Sequence, residues 1–219
     1  AKGASKGVAF SIPFTTEAEV IFPKKLPLND KNHYAYTGLS ASLFGMHTAR
    51  QTNYEKGPSS VENYNDLAWH NDDVANFQIY ACRKTHGENV ANSSGYTNRD
   101  VFFQLTSSQD SFALNLTSSV FSDVYDNEKW NFAVRVKPRK HPLADYVTGA
   151  LTPDVSNPYM VEFYGVNSDL DIVSKEFLLT GTLSKIQGEY FLSSSKRVYA
   201  GAHRQNFTGS TLTKTDVKF

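Results

Sequence analysis

From Trp130 to Lys137 the side chains alternate without a break. Trp130, Phe132, Val134 and Val136 fall on one face of an extended chain, and Asn131, Ala133, Arg135 and Lys137 on the other. A helix groups residues three and four apart, whereas a strand groups residues two apart, so this pattern commits the segment to a strand with one apolar face. The same period recurs along the chain. Ala18, Val20 and Phe22 oppose Glu17 and Glu19; Phe77, Ile79 and Ala81 alternate with Gln78, Tyr80 and Cys82; Val101, Phe103 and Leu105 alternate with Phe102, Gln104 and Thr106. Further strands are expected over 159–166, 176–182, 190–192, 197–202 and 216–219, and no segment carries a convincing helical stripe. A strand that is apolar on one face needs a second apolar face to cover it. The expected fold is therefore all-β, a two-sheet antiparallel sandwich. Val20-Ile21-Phe22 and Val101-Phe102-Phe103, bulky on both faces, are expected in its middle strands.

Composition narrows the function classes. The chain has 219 residues, with 22 Lys+Arg against 22 Asp+Glu, and 13% of it is aromatic. A zero net charge leaves no basic footprint for nucleic acid. No apolar run approaches the ~18 residues of a membrane-spanning helix, so membrane insertion is not expected. Cys82 is the single cysteine, which excludes an internal disulfide framework and a thiolate-rich zinc cluster. Residues 1–9 read as a flexible lead-in, because small and basic residues have nothing to bury. Residues 10–219 read as one domain, with 51–73 and 84–100 as long polar loops. The opening AKGASKG has neither an initiator Met nor the apolar core of a signal peptide, so the chain is expected to be part of a larger polypeptide.

The usual catalytic signatures are missing from the sequence. There is no Gly-x-Ser-x-Gly nucleophile elbow. Cys82 sits within an alternating strand, where a thiol is ordinarily packed rather than reactive. Six scattered histidines form no His-x-His or His-x-x-x-His pair, which leaves zinc without support.

Three motifs occur in order at strand-length spacing. They are Tyr125-Asp126-Asn127-Glu128-Lys129-Trp130-Asn131-Phe132-Ala133-Val134, then Val161-Glu162-Phe163-Tyr164-Gly165-Val166-Asn167, then Val198-Tyr199-Ala200-Gly201-Ala202 leading through Asn206-Phe207-Thr208-Gly209 to Asp216-Val217-Lys218-Phe219. Together they resemble the laminin G-like branch of the concanavalin A-like jelly rolls. The closing segment is most similar to modules of virus and phage particles. Asn131 stands where such modules often carry His, and the second motif lacks their Asn-Gly turn. The resemblance implies a non-catalytic structural or binding module of a virion, contacting neighbouring protein chains (as a homo-oligomer among others) or surface glycans. The alternative is an extracellular adhesion or carbohydrate-binding module, calcium-dependent in some relatives. A glycan-degrading enzyme comes third, because the Glu-x-Asp-x-x-Glu run of glucanases with this fold is absent. Glu17 and Glu19 share a face without a third acid, as do Asp169 and Asp171 if extended.

The resemblance also directs attention to the loops. Calcium takes several oxygen ligands, and the first candidates are Asp72, Asp73, Asp126 and Asn127. Asp126 and Asn127 are equally ordinary turn formers ahead of a strand. Glycan recognition combines an aromatic face with placed polar groups, which points to Tyr54, Tyr64, Trp69, His70 and Asn71. The plainer reading of those aromatics is that they anchor a long loop to the sandwich. Sequons occur at Asn92, Asn115 and Asn206.

Overall fold

A computed structural model describes residues 13–24, 40–48, 75–83, 99–108, 111–139, 158–193, 196–201 and 217–219. Its elements are β1 (Phe14–Ile21), β2 (Ser40–Thr48), β3 (Ala75–Arg83), β4 (Val101–Thr106), β5 (Asn115–Phe121), β6 (Lys129–Pro138), β7 (Tyr159–Asp169), β8 (Ile172–Leu183), α1 (Lys185–Ser193) and β9 (Lys196–Ala200). The strands form two antiparallel sheets, a four-stranded one in the order β1-β6-β7-β8 and a five-stranded one in the order β5-β4-β3-β2-β9. The protein is an all-β sandwich.

The alternation read from the sequence sets which side of each strand faces the core. Trp130, Phe132, Val134 and Val136 of β6 are all buried, as are Phe77, Ile79 and Ala81 of β3 and Val101, Phe103 and Leu105 of β4. The two sheets meet through aromatic rings. Phe103, from the five-stranded sheet, has its ring centroid 4.7 Å from Trp130, 4.9 Å from Phe132 and 5.5 Å from Phe177, all on the four-stranded sheet. Gly165 of β7 lies between Phe132 of β6 and Phe177 of β8 in the cross-strand register. A Cβ there would overlap the Phe177 ring and stand 3.0 Å from the Phe132 ring, so the missing side chain makes the space that both rings fill.

The order of strands corrects one expectation. β1 is an edge strand, and Ile21 is 37% exposed there. It is β2 that is covered on both faces: Ala41, Ser42, Leu43, Phe44 and Met46 are all buried. Bulk on both faces thus places Val101-Phe102-Phe103 correctly, in β4 between β5 and β3, and reads β1 wrongly, because Ile21 faces outward beside its bridge to Lys218.

Three segments depart from the sequence reading, the first being 216–219, expected as a strand, where the described residues 217–219 form only a single bridge from Lys218 to Ile21. Residues 190–192, expected as a strand, lie in α1. The helix opens with a capping box: Gln187 N–H donates to Ser184 Oγ at 3.3 Å while Ser184 N–H donates to Gln187 Oε1 at 2.9 Å. Its core contacts are Phe191, packed edge-on to Phe14 and Phe112, and Gly188, whose bare backbone lies against the Tyr159 ring. The third departure is β5, whose Asn-Leu-Thr-Ser-Ser-Val-Phe carries too little apolar alternation to announce a strand. It is an edge strand with a bulge, since Phe102 pairs with Val120 but Gln104 with Thr117. The bulge leaves Phe103 N–H without its ladder partner, and Ser118 Oγ accepts it at 2.8 Å in a buried position. Ser118→Ala should therefore cost about 1–3 kcal/mol, the penalty of a buried donor left unpaired, measured as a lower midpoint in urea unfolding.

The connection between β7 and β8 is a two-residue hairpin turn. Leu170 and Asp171 occupy it with φ of 47° and 63°. Asp169 and Asp171 thus flank a turn residue rather than sharing one face of an extended strand. Gly201, with φ of 71°, ends β9 as the third motif implies.

Candidate functional site

Where one face of β6 builds the core, the other stays open. The outer face of the four-stranded sheet is ordered in cross-strand rows, of which Glu17–Ala133–Tyr164–Leu178 and Glu19–Asn131–Val166–Glu176 are central. Asn131 and Ala133 are small, and the side chains on either side are long. The result is an open hollow of about 390 Å³, lined by Glu17, Ala18, Glu19, Asn131, Phe132, Ala133 and Tyr164. One wall is carboxylate, the floor is an amide and a methyl, and the far wall is a phenol.

The polar groups of this face have defined partners. Glu19 pairs with Lys129 at 2.8 Å, both side chains being about half exposed. Glu17 makes no ion pair among the described residues. Tyr164 O–H donates to Glu176 Oε2 at 3.3 Å. Burial first, and the Glu176 carboxylate second, push the Tyr164 phenol above its ordinary value, so it stays protonated and a hydrogen-bond donor. One row further along, Arg135 Nε donates to Glu162 Oε2 at 2.6 Å and Lys137 pairs with Glu162 Oε1 at 2.6 Å. Burial alone would push the Glu162 carboxyl up, but the hydrogen bonds from Lys137 and Arg135 outweigh it and hold it below the ordinary glutamate range. The folded value then lies below the unfolded one, so this contribution is present above pH 4.5 and is lost as pH falls through that ordinary value toward the depressed one. Glu162→Gln should flatten the acid side of a stability–pH curve, measured by urea midpoints between about pH 5 and 3.

The residues chosen from sequence fall into two groups. Tyr54, Tyr64, Trp69, His70, Asn71, Asp72 and Asp73 lie outside the described residues. Asp126 and Asn127 belong to the turn before β6. Asp126 pairs with Lys24 at 2.9 Å and with Arg99 at 3.6 Å, and its carboxyl is lowered chiefly by the Lys24 hydrogen bond. Asn127, with φ of 66°, accepts Lys24 N–H at 3.0 Å. A cation at Asp126 would have to displace two side-chain cations. Among the described residues, no three His, Cys, Asp or Glu side chains stand together as a metal cluster. Of the sequon asparagines, Asn115 is exposed at the start of β5 and accepts from Gln104 at 2.9 Å.

Two further positions behave as packing residues. Burial pushes the Cys82 thiol up to about 11, which leaves it almost wholly protonated, and unreactive, at neutral pH. Trp130 is fully buried, and its indole N–H donates to Glu128 Oε2 at 2.9 Å. Glu128 in turn pairs with Lys175 of β8, which also donates to Ser122 O at 2.6 Å. The hollow is only half legible in the sequence: spacing puts Glu17 and Glu19 on one face, but Tyr164 and Asn131 join them through cross-strand register, which no local pattern reveals.

Searches of protein-family models, of curated proteins and of solved structures return no match to this chain.

Proposed function

We propose that the chain is a non-catalytic, laminin G-like jelly-roll module of a larger particle, a virion, in which it contacts neighbouring chains and recognises surface glycans. The observation that carries this reading is the open hollow on the outer face of the four-stranded sheet, with Glu17 and Glu19 facing Tyr164 across a floor of Asn131 and Ala133. Carboxylates and an amide match the hydroxyls of a neutral sugar, and the phenol supplies both a ring and a donor. All these groups ride on paired strands, so binding costs little ordering entropy. The site does not suit hydrolysis. Glu17 and Glu19 are two residues apart on one strand, roughly 7 Å, within the range of a glycosidase pair. Both are exposed, however, and neither has the apolar enclosure that keeps one carboxyl protonated as the acid.

A printed glycan array tests the reading. The wild-type protein is expected to retain a class of neutral glycans, and Tyr164→Ala to weaken that retention at least tenfold, about 1.4 kcal/mol. An array on which the wild-type protein retains nothing would remove the glycan part of the proposal.

A further inference from the structure

Nine large apolar side chains are exposed among the described residues, and five of them sit at one end of the four-stranded sheet: Ile21, Leu170, Ile172, Val173 and Phe219. The register places them there. β1 ends at Ile21 opposite Lys129, the first residue of β6, while β7 ends at Asp169 opposite Ile172, the first residue of β8. Trp130, one residue into β6, is opposite Asn167 near the end of β7. Ile21 also bridges Lys218, which brings Phe219 to the β1 side of this end. The two apolar groups are therefore separated by three strand spacings, about 14 Å.

Folding does not account for the β8 group. Leu170 is 88% exposed and Ile172 72% exposed. Leu170 also holds φ of 47° at a turn position where Asn and Gly are favoured and a branched side chain is strained. Exposed apolar groups gathered in this way mark an interaction surface.

Charge supplies the occupant. The β8 group is flanked by Asp169 and Asp171, and neither makes an ion pair among the described residues. On the β1 side Lys129 already pairs with Glu19, but Lys218 makes no ion pair among the described residues. One end of the molecule thus carries an acidic apolar knob and, about 14 Å away, an apolar patch with one lysine, Lys218, that no described carboxylate side chain pairs. A two-fold axis between them brings the knob of one copy onto the patch of the other, twice over, as a closed dimer requires. The zero net charge adds no general repulsion. A lipid surface fits less well, because the protruding side chains are flanked by carboxylates where anionic membranes call for lysine and arginine.

We propose that this end of the sandwich is a self-complementary docking surface through which two copies of the chain associate, Leu170 and Ile172 of each seated on Ile21 and Phe219 of the other, with Asp169 and Asp171 facing Lys218. This deepens the neighbouring-chain part of the reading above, and glycan retention on the array would survive its failure. Sedimentation of the wild-type chain over a concentration series should show a monomer–dimer equilibrium. Leu170→Asp should weaken it at least tenfold with no loss of thermal stability. Lys218→Glu should weaken it as well, and adding Asp169→Lys and Asp171→Lys to Lys218→Glu should restore it. A wild-type chain that stays monomeric throughout, or a dimer indifferent to Leu170→Asp and to the charge swap, would overturn the proposal. So would a monomer that binds phosphatidylcholine vesicles through Leu170, which would assign the knob to a lipid surface.

Discussion

Phe103→Ala is expected to destabilise the protein by about 3–5 kcal/mol, more than any change on the outer face. Phe103 is the ring through which the sheets meet, with Trp130, Phe132, Phe177, Phe22 and Phe121 all within 5.9 Å between centroids. Truncation removes one ring's apolar contact and leaves a cavity that rings held on two separate sheets cannot close. In a domain of this size the loss corresponds to a fall in Tm on the order of 10 °C. Urea unfolding followed by far-UV circular dichroism measures it. A loss below about 1 kcal/mol, the range of an ordinary surface substitution, would show that the rings do not join the sheets as described.

Gly165→Val produces a comparable effect by the opposite route. The wild-type residue has no side chain because the Phe177 and Phe132 rings already occupy the space above it. A branched side chain must push both rings aside, and those rings pack on Phe103, Trp130 and Phe163. Overpacking of this kind costs typically 1–3 kcal/mol, and more where no neighbour can yield. Here both neighbours are held by other rings, so we expect the upper end of that range. Gly165→Ala should fall between wild type and Gly165→Val. Valine has the higher intrinsic strand preference, so unchanged or increased stability would show that preference outweighs packing at this position.

These two positions also show what the sequence could and could not disclose. The alternation through Trp130 and Phe132 placed β6 and its inward face correctly, since a half-buried strand writes its burial into every second residue. Phe103 was placed inward for the same reason. Gly165 falls inside the strand expected over 159–166, but nothing in that pattern says why the position lacks a side chain. Its role depends on Phe177, twelve residues further on, and on Phe132 across the sheet, a relation that exists only once the strands pair. The β5 strand was hidden by its Thr and Ser residues, one of which, Ser118, repairs the ladder at a bulge. Helix α1 was hidden because Gly188 interrupts its stripe and Ile186 points outward, 81% exposed. Its capping box, Ser184 to Gln187, was in the sequence and would have identified it. For the site, the shared face of Glu17 and Glu19 was legible, while the partnership with Asn131 and Tyr164 required the register of three strands.

The claim on which the functional account rests is that recognition takes place in the hollow above Ala133. Ala133→Trp fills that hollow from its floor without touching the buried face of β6. Glycan-array binding by wild type and Ala133→Trp, with Tm measured on the same samples, is the most direct test. The wild-type protein is expected to bind, and the variant to lose at least tenfold in retention with its Tm unchanged. A folded Ala133→Trp protein with the wild-type binding profile would contradict the claim.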